Sequence, residues 1–213
     1  MNTYHKINSI FKRNTDLKHN PMIPWDWSQP EFEYLAHTEW EFTEKVDGTN
    51  IRLMWDGQDL SIGGKTDNAQ IPQGLVEWFM RHKEQHLETY REKFGETKVC
   101  LYGEGCGPKI QKVGHLYGDH QYVVLFDVLI GSWWLKREDV IDVARKLDLH
   151  SAPVVGWGNL IEGVQLVKNG FYSTWGDFMA EGIVARPKVE LFDRSGKRII
   201  TKIKHNDLID LDV

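Results

Sequence analysis

The alternation of hydrophobic and polar positions changes character at Glu39. Residues 1–38 hold no sustained period, and Asn20-Pro21 and Ile23-Pro24 read as turns, so an irregular lead-in is predicted there. Beyond it, Trp40 and Phe42 alternate with charged residues, and Ile51, Leu53 and Trp55 repeat the pattern. That is the two-residue period of a half-buried strand. Asp56-Gly57 is a hairpin signal, after which Leu60 and Ile62 begin a return strand. Over 74–94 the spacing predicts an amphipathic helix, with Val76, Phe79, Leu87, Tyr90 and Phe94 inward and Gly95 as its stop.

Strands are predicted at 98–105 and 122–130, the second apolar enough to be covered on both faces. Short helices follow at 137–147 and 158–168. Strands at 181–187 and 197–204 are joined by a loop with a turn at Asp193–Gly196. Strand, helix and hairpin are intermixed, which predicts an α+β fold rather than a regular βαβ winding. The 213 residues fit one domain, 1–213, with 1–38 as its lead-in.

Charge narrows the function. Lys and Arg number 26 against 31 Asp and Glu, a formal net charge of −5, which excludes a generally basic nucleic-acid coat. Any polyanion must therefore meet a local patch. The stretch from Arg186 to Lys204 supplies one, with seven Lys or Arg against only Glu190 and Asp193. Cys100 and Cys106 form no disulfide framework, as expected in a reducing cytoplasm, bacterial or that of a viral host. Cys106, His115 and His120 lack zinc spacing and read as loop residues. No leader-type apolar segment opens the chain and no run of 18 apolar residues occurs, so neither a signal peptide nor a membrane span is expected.

Four short stretches then carry chemistry. "EKVDGTN" (44–50) sets Lys45 two positions before Asp47-Gly48, on its own a weak signal because Asp-Gly commonly makes turns. "LYGEGCG" runs a strand into a glycine turn at Glu104, and "EGIV" begins a strand directly after Glu181. In "RIITKIK" strand alternation projects Lys202 and Lys204 together, while Ile199, Thr201 and Ile203 fill the other side.

Taken in order, "EKVDGTN", "SIGGKT", "YGEG", "VLFDV", "EGIVAR" and "TKIK" resemble the covalent nucleotidyltransferase superfamily of ATP-dependent ligases and capping enzymes. The nearest resemblance is to RNA ligase 2-type ATP-dependent RNA ligases, from about Glu44 to Lys204. It implies two antiparallel sheets flanked by helices, with the nucleotide in the groove between them. Related ligases carry a C-terminal domain after the last lysine motif, whereas nine residues follow Lys204 here; this departure leads us to expect an adenylyltransferase domain alone.

By that resemblance Lys45 attacks the α-phosphorus of ATP and forms lysyl-AMP. AMP passes to a 5′-phosphate, and a 3′-hydroxyl then seals the strand. The attack needs a neutral amine, whereas an exposed lysine titrates at about 10.4; nearby Lys202 or Lys204 and a cation disfavour the ammonium form. Glu181 would bind the Mg²⁺ or Mn²⁺, Glu104 the ribose hydroxyls and Glu44 the adenine amino group. Tyr122, ahead of Phe126, would stack on adenine. Asp47 and Gly48 would shape the loop that aims Lys45, and Asn50 would handle the polynucleotide phosphate.

Lys65 stands where the family usually has arginine, and Arg186 where it often has lysine; both are expected to touch phosphate. A lysine keeps the charge but loses the bidentate fork. The expected partner is RNA, with DNA or mixed joining as the alternative and an RNA-capping guanylyltransferase less favoured. A monomer is expected.

Overall fold

The computed structural model describes residues 3–213. The chain divides into two compact units. One takes Val46–Ala152 with the N-terminal stretch to His5; the other takes Lys6–Lys45 and Pro153–Val213. The second unit is therefore assembled from two stretches of chain with the first unit inserted between them.

The Val46–Ala152 unit is built on a sheet in the order His150–Ser151, Tyr122–Ile130, Val99–Cys106, Thr49–Trp55, Leu60–Gly63, with Trp133–Trp134 paired to Tyr122–Ile130. The pairs are antiparallel except at His150–Ser151, which runs parallel to its neighbour. Alternation behaves as predicted. Ile51, Leu53, Trp55 and Leu101 are buried in one core with residues of the helices Gln73–Phe94 and Arg137–Lys146. The other face of the same strands carries Asn50, Arg52, Tyr102 and Glu104. Between Tyr102 and Gly103 the register shifts past Phe126, which is the extra residue of a bulge.

The long helix turns a different edge inward from the one predicted. Leu75, Phe79, His82 and Tyr90 are its buried residues, whereas Val76 is 38% exposed. The stripe is interrupted by a histidine, which hides it from an apolar pattern. His82 stacks on Trp78 at 5.0 Å and its Nε2 lies 3.1 Å from the Tyr90 hydroxyl. Burial, then the neighbouring His86, pushes its pKa down to about 3, so the ring stays neutral inside the core. Gly95 closes the helix at φ 54°, its N–H donating to the Arg91 carbonyl.

In the other unit the sheet order is Asn8–Ser9, Thr201–Lys204, Gly182–Pro187, Trp40–Glu44, Val154–Gly158, antiparallel except for the Asn8–Ser9 edge. The helix Leu160–Asn169 lays Leu160, Val164 and Val167 into the core with Trp40, Phe42 and Ile183. Its start is fixed by a capping box: the Asn159 side chain accepts from the Glu162 N–H, and Glu162 accepts from the Asn159 N–H.

The lead-in is not irregular. Phe11–Arg13 pairs with Met22–Trp27, Pro30–Tyr34 is helical, and Ile10, Phe11, Met22 and Phe32 are buried in this core. Strands of two, three and six residues, one pair with a register shift, are too short to print a period on the sequence. The strand predicted at 197–204 is regular only over Thr201–Lys204, because the chain first turns at Asp193–Gly196 and makes a single bridge from Phe192 to Arg198.

Gly182 has φ 151°, and a Cβ there would lie 2.0 Å from the Ile203 carbonyl oxygen. Only glycine lets Gly182–Pro187 close onto Thr201–Lys204 at this point. Gly182→Ala is expected to cost about 1–3 kcal/mol of stability, read as a lower denaturant midpoint; an unchanged midpoint contradicts this account.

Candidate active site

Lys45 directly follows the strand Trp40–Glu44, and the register accounts for what surrounds it. Glu44 lies opposite Ile183, and Gly182 opposite Lys204. The Lys45 N–H donates to the Gly182 carbonyl at 2.9 Å, and the His205 N–H donates to the Glu181 carbonyl at 2.9 Å. Three strand ends thus bring Lys45, Glu181 and Lys204 together although they lie far apart in the chain. Glu181 receives Lys45 Nζ on Oε2 at 2.5 Å and Lys204 Nζ on Oε1 at 2.6 Å. All three side chains are partly buried, where the mutual field is less screened than at an open surface.

Lys202 lies on the same side of its strand as Lys204, while Thr201 and Ile203 are fully buried on the other. Burial, then the charges of Lys204 and Lys45, lower its pKa from the ordinary 10.5, and Glu181 and Asp207 offset this only in part. Three lysines thus share one field with Glu181, and phosphate groups are favoured in such a place.

Glu44, expected to read the adenine amino group, is 1% exposed, and its carboxylate accepts from the Ser173 hydroxyl, the Thr174 N–H at 2.9 Å and the Thr174 hydroxyl at 2.7 Å. With both oxygens engaged, Glu44 anchors the 171–180 loop beside the strand that Lys45 follows. Nothing in the local spacing of Ser173 and Thr174 signals this, because the contact spans 129 residues of chain. Arg186, half-buried, lies opposite Glu41 in the register.

The remaining candidates belong to the Val46–Ala152 unit. The Asp47 N–H donates to the Tyr117 hydroxyl at 3.0 Å, and Gln111 Nε2 donates to the Gly48 carbonyl at 2.8 Å. A Cβ on Gly48 would lie 2.2 Å from the Gly105 oxygen, so this turn needs glycine for close approach. Asn50 and Glu104 are cross-strand partners, and the buried Asn50 Oδ1 has no hydrogen-bond partner in the structure. Lys65 is exposed, just beyond Leu60–Gly63.

Tyr122, the first choice for stacking on adenine, is 7% exposed, and its hydroxyl donates to the Tyr117 carbonyl at 2.9 Å. It is packing material, and burial raises its pKa. Phe126, at the bulge, is only half-buried and meets Tyr4 edge-on at 5.0 Å. Cys106 is a buried strand residue rather than a loop residue, its thiol pushed up to about 12 mainly by burial.

Sequence reading missed Arg52. Its side chain is fully buried, with Nε donating to the Gly64 carbonyl at 2.8 Å and Nη2 to Asp67 Oδ1 at 2.7 Å. The signal was present: a charged residue between Ile51 and Leu53 belongs to the face away from the core.

The RNA ligase family profile matches residues 38–204. The chain belongs to the RNA ligase family. No curated relative matches the sequence. Among solved structures, a ligand-free mutant of Naegleria gruberi RNA ligase is similar at TM-score 0.63 and 17% identity, over 83% of this chain and 52% of that one. A mutant of the same protein with AMP and Mn gives 0.63 and 18% over the same shares. A third, with ATP and Mn, gives 0.64 and 16% over 94% and 60%. The chain thus spans about half the length of these structures, and at such identity the likeness establishes the α+β fold with its antiparallel sheets.

Among the described residues no group of three or more His, Cys, Asp or Glu is placed to hold a metal. A single carboxylate at Glu181 still fits Mg²⁺ or Mn²⁺ of the kind that keeps several waters and takes phosphate oxygens as its other ligands. No helix among the described residues is long and apolar enough to cross a membrane.

Because Lys202 has a lowered pKa in the fold, the unfolded chain holds more protons in the window between that value and 10.5. Its burial penalty is present in full below the folded pKa and is relieved as pH rises through this window, so stability gains with pH. Lys202→Met should therefore show a smaller rise in denaturant midpoint across that window than the parent; parallel pH profiles for the two contradict the placement.

Proposed function

We propose that this chain is an ATP-dependent RNA ligase with Lys45 as its nucleophile. The observation that carries the reading is the Glu181 carboxylate shared by Lys45 and Lys204 at 2.5 and 2.6 Å, with Lys202 beside them. The ammonium proton must first leave for water, which frees Glu181 to hold the divalent ion and leaves a lone pair on nitrogen. The amine then attacks the α-phosphorus: the N–P bond forms, the P–O bond to the β-phosphate breaks, and pyrophosphate leaves with that electron pair. The second proton lost from nitrogen passes to the leaving group or water.

An oxygen of an RNA 5′-phosphate next attacks the lysyl-AMP phosphorus, breaking P–N and returning the lysine amine. Finally a 3′-hydroxyl attacks the activated 5′-phosphorus, forming the phosphodiester and releasing AMP.

Lys202 and Lys204 are suited to hold the nucleotide phosphates as charge moves onto the leaving group. A divalent ion at Glu181, when bound, supplies further neutralisation of the phosphates. Glu104 is assigned to the ribose hydroxyls and Lys65 and Arg186 to phosphate. Asn50, with its unmatched acceptor, is assigned to the polynucleotide end. Phe126 is the better placed of the two aromatics for the base, since Tyr122 is buried. Glu44 holds the loop beside the nucleophile.

Incubation with α-labelled ATP and Mg²⁺, then a denaturing gel, should show label on the protein that Lys45→Ala abolishes. Label from GTP alone, or label retained by Lys45→Ala, sinks the proposal. Offering 5′-phosphorylated RNA and DNA to the labelled protein separates the two substrate classes, with transfer to RNA expected to be the faster.

A further inference from the structure

Arg52 is an expensive residue to place where it is. A buried guanidinium loses its hydration, and an apolar side chain of similar volume would often fill such a site at no loss of stability. Its contacts show where the charge is directed. Nε and Nη2 grip the two sides of the turn after Leu60–Gly63, at the Gly64 carbonyl and the Asp67 carboxylate, with Lys65 and Thr66 between them. The turn is clamped from beneath while Lys65 remains exposed.

The clamp also has an electrostatic consequence. Asp67 is the acid nearest to Lys65 along the chain, and left to itself would tend to neutralise it. The Arg52 guanidinium instead holds the Asp67 carboxyl below the usual carboxylate range, first through the hydrogen bond and then through its charge. Lys65 and Asp67 together carry no net charge; with Arg52 added the sum is one positive charge.

Arg52 is itself held. Tyr102 lies opposite it and Asp127 opposite Tyr102, all three fully buried, and Asp127 accepts from the Tyr4 hydroxyl at 2.7 Å. Both charges act on the Tyr102 phenol, Arg52 lowering its pKa and Asp127 raising it, while burial dominates. The clamp thus stands on a row of buried polar side chains across three strands.

We infer that Arg52 is the positioning residue for Lys65: it fixes the 64–67 turn, draws Asp67 away, and so presents the lysine ammonium to a phosphate of the bound substrate. The inference rests on the phosphate role assigned to Lys65 above. Its test needs a readout that simple charge counting would move in the opposite direction. Asp67→Asn removes a negative charge, which by Coulomb attraction alone tightens any polyanion. If Asp67 is instead the clamp's outer half, its loss frees the turn and weakens binding.

Calorimetry with inorganic tripolyphosphate on the full chain measures this without turnover. Asp67 is 80% exposed at its side chain, so its replacement leaves the core intact. Asp67→Asn is expected to weaken tripolyphosphate by about fivefold and Lys65→Ala by about tenfold, with the double variant no weaker than Lys65→Ala, as for coupled neighbours. Arg52→Lys, which keeps charge but loses the fork, should behave like Asp67→Asn.

Tighter binding by Asp67→Asn, additive losses in the double variant, or no binding to the parent chain overturns the inference. Labelling of Lys45 by ATP reports on the ligase reading separately. Label with additive losses removes the Arg52 role alone, and coupled losses without label remove the ligase reading alone.

Discussion

Two ammonium groups meet on one carboxylate at Glu181, and much of the second unit is arranged to let them. Neither lysine could be held there by side-chain contacts alone, since a flexible four-carbon stem brings little order of its own. The order comes from the backbone. Lys45 donates its N–H to Gly182, His205 donates to Glu181, and the register sets Lys204 opposite Gly182. Gly182 is the one residue that could permit this closure, because any side chain there meets the Ile203 carbonyl. A chain that folds this sheet has already brought the two lysines and Glu181 together.

Like charges are gathered at that point. Lys45 and Lys204 meet on Glu181, and Lys202 joins the same field at a cost visible in its lowered pKa. Excess positive charge in a partly buried place is tolerated when something else stabilises the fold, here two well-filled cores. The Val46–Ala152 unit treats a buried charge differently. Arg52 donates to acceptors aimed at it, and the contacts reach a turn. The one arrangement gathers like charges around an acid; the other ties a buried charge to acceptors on a neighbouring turn.

Much of this was legible in the sequence where period and chemistry coincide. The alternation in "TKIK" placed Lys202 and Lys204 on one side and Thr201 and Ile203 on the other, as the structure has them. The Asp56-Gly57 hairpin and the strand at 122–130 also stand where predicted. What escaped has a physical reason in each case. His82 interrupts the buried stripe of the long helix. The lead-in strands are too short for a period to form. Glu44 is saturated by Ser173 and Thr174, partners no local pattern could name. Tyr122 is a buried aromatic, and sequence alone does not tell which aromatics of a strand remain open.

The interleaving of the two units has a consequence for the timing of synthesis. Lys45 and Glu181 are 136 residues apart, so at ordinary elongation rates the lysine leaves the ribosome roughly 7–27 s before its acid partner. During that interval Val46–Ala152 is complete and can close its own core, while Trp40–Glu44 still waits for Gly182–Pro187 and Thr201–Lys204. The lysine is made early and placed last. Its backbone and side-chain partners, Gly182 and Glu181, arrive only with the final strands of the sheet.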